Sequence, residues 1–207
     1  MRSNESGKYV RKMNRVLVSA MVMLILTGFV FSQDAVTAQS GDLQVPPPSY
    51  AKFDAELTQT MLGLFNSPIM KAQLEMSAGE MGGYAFDSLK ISYFTTERSL
   101  EEVIDYFAQK LGQEAEIEYG PFVDSPEEMM EMEEMTGLSW HDGFMEKYQR
   151  AYETYMDEES QTAVFNTGSF SDKMITIEIE NPFLDPGTFK KVDKTSIMYM
   201  VMTLKKK

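Results

Sequence analysis

Methionine and histidine are the first residues in this 207-residue chain whose types could do chemistry: eighteen methionines and one histidine. Met129, Met132 and Met135 recur every three residues, Met130 lies between them, and His141 and Met145 follow closely. Thioether sulfur is a soft donor that suits Cu(I), and imidazole also binds copper. Met129, Met132, Met135 and His141 are therefore the candidate metal ligands, since residues one helical turn apart can share an ion. The same spacing also describes a packed helix face, because methionine forms helices well and fills irregular gaps in cores. That plainer role carries more weight.

Carboxylates come next. From Gly112 to Glu146 the chain holds eleven acids and neither Lys nor Arg. Calcium would need six to eight oxygens presented by a tight loop, and no EF-hand spacing occurs. The acids are spread over several elements, as on a solvated face. Two of them facing each other across a cleft would suffice for a small carboxylate-dependent hydrolase, but nothing in the spacing selects a pair. No G-x-S-x-G elbow, H-E-x-x-H pair, Walker loop or G-x-G-x-x-G turn is present. Catalytic residues are not assigned, and no cofactor is expected.

The third group is aromatic. Trp140, Phe144, Tyr148 and Tyr152 recur every four residues, with Tyr155 beside them. These four are the candidate binding residues. A helix whose apolar sector exceeds what one sheet face can cover marks a protein partner or self-association. The alternative is that this helix and the Met-rich one before it pack as a hairpin around Gly137.

Several elements must position these groups. A first helix is expected from Ser49, with Phe53, Leu57, Met61, Leu64 and Phe65 on one side. A short one is expected over 69–78, ahead of Gly79, Gly82 and Gly83. Residues 89–96 alternate as a strand. Ser99 and Glu102 form a capping box for a helix with Leu100, Val103, Ile104, Phe107 and Leu111 on one stripe, closed by Gly112. Residues 115–119 read as a strand with an acidic outer face. Ser125 and Pro126 open the Met-rich helix, and the aromatic helix is expected over 140–159. Strands follow at 163–170, 173–180 and 195–204. The last is apolar on both faces, which places it centrally with cover on each side. The sum is an α+β fold: an antiparallel or mixed sheet of about five strands with helices packed on it.

Residues 1–15 carry five basic groups and one acid, and residues 16–31 run without a charge. A basic head, an apolar stretch too short to span a bilayer, and small residues at Ser32 or Ala38 make a secretory signal peptide. The expected division is signal 1–32, with cleavage after Ser32 or Ala38, and a linker 33–48 ending in three prolines. One domain follows over 49–207, with an acidic Met-rich helical insertion at about 121–160. The protein is then exported, to the periplasm or outside the cell, with no stable membrane anchor once cleaved. Removing the signal leaves 14 of the 19 basic residues and 31 of the 32 acids, so the net charge falls from −13 to −17. So acidic a chain excludes nucleic acid as a partner. With no cysteine, the fold must hold by packing alone.

One resemblance is carried by residues 92–111. Tyr93 and Thr95 end a strand, Ser99, Glu101, Glu102 and Val103 open a helix, and Phe107 and Leu111 close it. The segment resembles a strand–helix unit of exported bacterial α+β proteins of unknown function, and implies a sheet completed by later strands. It brings no catalytic residue. The function these features suggest is an exported, non-catalytic binding or protein-interaction module. The alternatives are the small carboxylate-dependent hydrolase and the Met/His copper-binding protein.

Overall fold

The computed structural model describes residues 45–72, 84–168 and 173–206. The expected signal segment, most of the expected linker and the glycines at 79, 82 and 83 lie outside the described residues.

In chain order the elements are β1 (Lys52–Phe53), α1 (Ala55–Phe65), β2 (Tyr84–Thr96), α2 (Leu100–Leu111), β3 (Glu116–Pro121), α3 (Pro126–Thr136) and α4 (Phe144–Tyr155). They continue as β4 (Glu159–Gly168), β5 (Lys173–Glu180), β6 (Phe183–Leu184), β7 (Lys191–Val192) and β8 (Thr195–Lys206). Six strands form one sheet in the order β1-β2-β8-β5-β4-β3, every neighbouring pair antiparallel, and β6 and β7 make a small ribbon. The fold is α+β.

The path explains the order. After β2 the chain crosses one face of the sheet as α2 and returns as β3 at the far edge. A meander through β4 and β5 follows, and β8 then fills the place between β5 and β2. As its two-sided apolar pattern requires, β8 is buried on both faces. Ile197, Tyr199 and Val201 pack with Val103 and Phe107 of α2, together with Phe165, Ile175, Ile177 and Ile179. Met198, Met200 and Met202 point the other way, into a second core with Leu57 and Phe65 of α1, Met129 and Met132 of α3, and Phe144 and Tyr148 of α4. The molecule thus has three layers, with the sheet in the middle.

Local chemistry sets the helix ends. Ser99 and Glu102 exchange side-chain and backbone hydrogen bonds as a capping box, and Gly112 ends α2 at φ 66°, a left-handed conformation that only glycine adopts without strain. Two expected starts are corrected. The first helix begins at Ala55, because the carboxylate of Asp54 caps it by accepting from the Leu57 amide at 3.0 Å. Phe53 therefore lies in β1, paired with Phe94. The aromatic helix begins at Phe144, because Gly143 sits at φ 78° and interrupts any continuation from Trp140. It ends at Tyr155, and β4 already starts at Glu159. Strands β1, β6 and β7 were not expected, being two residues each and too short to show a period. Residues 68–72 are helical, with Ile69 and Met70 buried; the remainder of the helix expected there lies outside the described residues.

Candidate functional site

Strands β3 and β4 pair from Glu116 opposite Val164 to Pro121 opposite Glu159, and the Phe122 amide donates to the Glu158 carbonyl at 2.8 Å. The two helices α3 and α4 therefore grow out of the tip of a β-hairpin, as an insertion clamped at its base. Ser125 caps α3 through the Glu127 amide, Pro126 occupies its first turn, and Gly137 ends it at φ 65°. The turn back is tied twice. The Trp140 indole N–H donates to the Met129 carbonyl at 3.1 Å, and the Trp140 amide donates to Glu133 Oε1 at 2.9 Å.

Trp140, Phe144 and Tyr148 come together as a stack. Trp140 and Phe144 lie 4.6 Å apart at 18°, Phe144 and Tyr148 lie 6.0 Å apart at 15°, and Phe189 meets both of the latter edge-on. All three are buried, and Tyr152 is half-buried against the same core. The row faces the sheet, not solvent. It is interior.

The candidate metal ligands divide. Met129 and Met132 point into the core beside this stack, whereas Met135 is 56% exposed and His141 is exposed. The His141 ring lies against Phe144 at 5.2 Å. Two thioethers inside and two donors outside do not share one face. Among the described residues, no grouping of three or more His, Cys, Asp or Glu is arranged to hold a metal ion.

The structure instead gathers acids that no motif had singled out. On β5, Ile175, Ile177 and Ile179 point into the α2-side core, so Glu178 and Glu180 must point to the opposite face, beneath the insertion, where both side chains are half-buried. Glu178 lies opposite Met198 of β8 and Val164 of β4; Glu180 lies opposite Ser196 and Thr162. Burial pushes the Glu178 carboxyl up to about 7, helped by the negative charge of Glu118 on β3. Burial also drives Glu180 well above the ordinary carboxylate range, with Glu178 and Asp124 adding to it. Asp124, in the segment leading into α3, is raised by burial as well. The Glu178 Oε2 atom is sealed from solvent and has no hydrogen-bond partner among the described residues. The Tyr93 hydroxyl of β2 is raised by burial and then by Glu178, Glu180 and Asp185. Tyr148 is raised by burial and then by Asp124 and Glu128, and its hydroxyl donates to the Asp124 carbonyl at 3.2 Å. One signal could have pointed here: a strand neighbouring a two-sided apolar strand is itself covered on both faces, so its glutamates go under cover.

A separate polar cleft of about 340 Å³ opens between α1 and the β6–β7 ribbon, lined by Asp54, Glu56, Thr60, Thr95, Asp185 and Lys194 among others. Asp54 and Asp185 already accept backbone amides there, and Lys194 is held by Glu97 at 2.9 Å. The outer surface of α3 is different again: Met130 and Met135 are 53% and 56% exposed, next to exposed Glu127, Glu131 and Glu134.

Compared with profiles of known families, with curated proteins and with solved structures, the chain matches none of them.

Proposed function

We propose that the protein is an exported, non-catalytic binding module that works in the periplasm or outside the cell and engages a protein partner through the outer face of α3. The observation that carries this reading is the pair of exposed methionines on a helix whose other methionines are already buried. Met130 and Met135, with Leu138 just beyond, remain 37% to 56% exposed although Met129 and Met132 satisfy the core. Flexible thioether side chains on a surface adapt to varied apolar partners. The surrounding charge is wholly acidic, since residues 112–146 contain no Lys or Arg. The partner that fits is a cationic amphipathic segment, apolar on one side and rich in Lys or Arg on the other.

A designed Leu/Lys amphipathic peptide, titrated into protein carrying labelled methionine methyl groups, tests this. The Met130 and Met135 signals should shift together and recover in high salt, while those of Met198 and Met200 stay fixed. Unmoved Met130 and Met135 signals at millimolar peptide would refute the assignment.

One observation favours the hydrolase alternative: the half-buried Glu178 carboxyl, pushed up to about 7, is suited to general acid work. Turnover of a glycoside or ester substrate that disappears in Glu178→Gln would replace the binding reading.

A further inference from the structure

The insertion lies over a sheet face that is apolar along β2 and β8 but acidic along β5. Glu178 and Glu180 are two residues apart on one strand, so their side chains stand side by side on the same face. Each element packed around them adds a weak acid. Strand β3 contributes Glu118, and Glu116 continues the same face at the exposed edge. The segment before α3 contributes Asp124, which acts on Glu180, and β2 contributes the Tyr93 hydroxyl, on which Glu178, Glu180 and Asp185 all act; Tyr148 of α4 meets Asp124. Among the described residues, the charges acting on the pair are all negative. Glu178 Oε2 has no donor among the described residues. A carboxyl in such a place is tolerable when it carries a proton and expensive when it does not.

We propose that Glu178 and Glu180 form a proton-dependent latch beneath the α3–α4 insertion: protonated, they let the insertion seat on the sheet; ionised, they drive it off and uncover the stacked row Trp140, Phe144 and Tyr148. Asp124 transmits the push, because it faces Glu180 and sits in the short segment that enters α3. Opening requires no change in the sheet, since the β3–β4 base holds the insertion at both ends. The latch needs no partner and goes beyond the interaction reading; it sets when the aromatic row of the same element is presented.

Trp140 is the only tryptophan in the chain, so its fluorescence reports the insertion alone. As pH is raised through neutrality, its emission should shift to longer wavelength and its quenching by acrylamide should increase several-fold, while far-UV circular dichroism holds steady. The midpoint should fall near the Glu178 value of about 7. In Glu178→Gln/Glu180→Gln the transition should vanish and Trp140 should stay shielded at alkaline pH; if that variant does not fold, each single substitution should displace the midpoint. The His141 ring lies against Phe144 in the same stack, so His141→Gln serves as the control and must leave the transition in place. The latch is overturned by an emission spectrum that does not change with pH, by an unchanged transition in the glutamine variants, by its loss in His141→Gln, or by simultaneous loss of the circular dichroism signal.

Discussion

Among the described residues, two covered side-chain oxygens lack hydrogen-bond partners, and they lie on opposite faces of the sheet. The first is the hydroxyl of Tyr199, which stands among Phe94 and Phe107 on the α2 side. A buried hydroxyl with nothing to bond retains its desolvation penalty, and removing it leaves the ring packing intact. Tyr199→Phe should therefore be neutral or stabilising by up to about 1 kcal/mol, read as an unchanged or raised melting temperature. A clear loss of stability would mean that the hydroxyl has a partner in solution. The second is Glu178 Oε2, where the sign depends on pH. Its folded-state value of about 7 lies above the ordinary 4.5 of an unfolded chain, so the folded form holds the proton more tightly. Its contribution is fully present below about 4.5 and is lost as pH rises through about 7, and Glu180 acts in the same direction. Chemical denaturation across this range should show stability falling by a few kcal/mol, and Glu178→Gln should flatten the slope.

Among the elements, α2 shows how local and distant interactions divide the work. Its cap, its stripe and its terminal glycine are all readable within fourteen residues, and each forms as the spacing dictates. What the stripe gains is decided elsewhere. Phe107 is fully buried and meets Phe165 and Tyr199 from two different strands. Phe107→Ala should cost about 3–5 kcal/mol, measured as a lowered denaturant midpoint, because the rigid sheet beneath cannot collapse into the space. The starts of α1 and α4 were less legible for related reasons. At α1, an aspartate six residues into an apolar pattern offers its carboxylate as a cap. At α4, a glycine in the left-handed region breaks a pattern that runs unbroken through it. Periodicity records which side is apolar, not where the backbone turns. The aromatic row shows this most clearly: its spacing of four identified one face of a helix, but only the neighbouring sheet decides that the face is buried.

At the scale of the molecule, the sheet was legible where strands were long and their faces contrasted. Alternation in β5 and the doubly apolar β8 gave both a strand and its depth. The acids of β5 were not legible as interior groups, because alternate charged positions look the same whether solvent or an insertion lies above them. Only the lid formed by α3 and α4, contributed by a different hairpin, makes Glu178 and Glu180 unusual. The place of β8 between β2 and β5 has a consequence for the order of events during synthesis. Until residues 195–206 leave the ribosome, β2 has only the two-residue β1 beside it and β5 has only β4. Neither core can close, since each needs one side of β8 to complete it. The strands made earlier therefore cannot complete their packing until β8 has been made, and under the proposed export route that is the state a secretion channel can thread. Strand β8 then acts as a timer: neither core closes before it arrives.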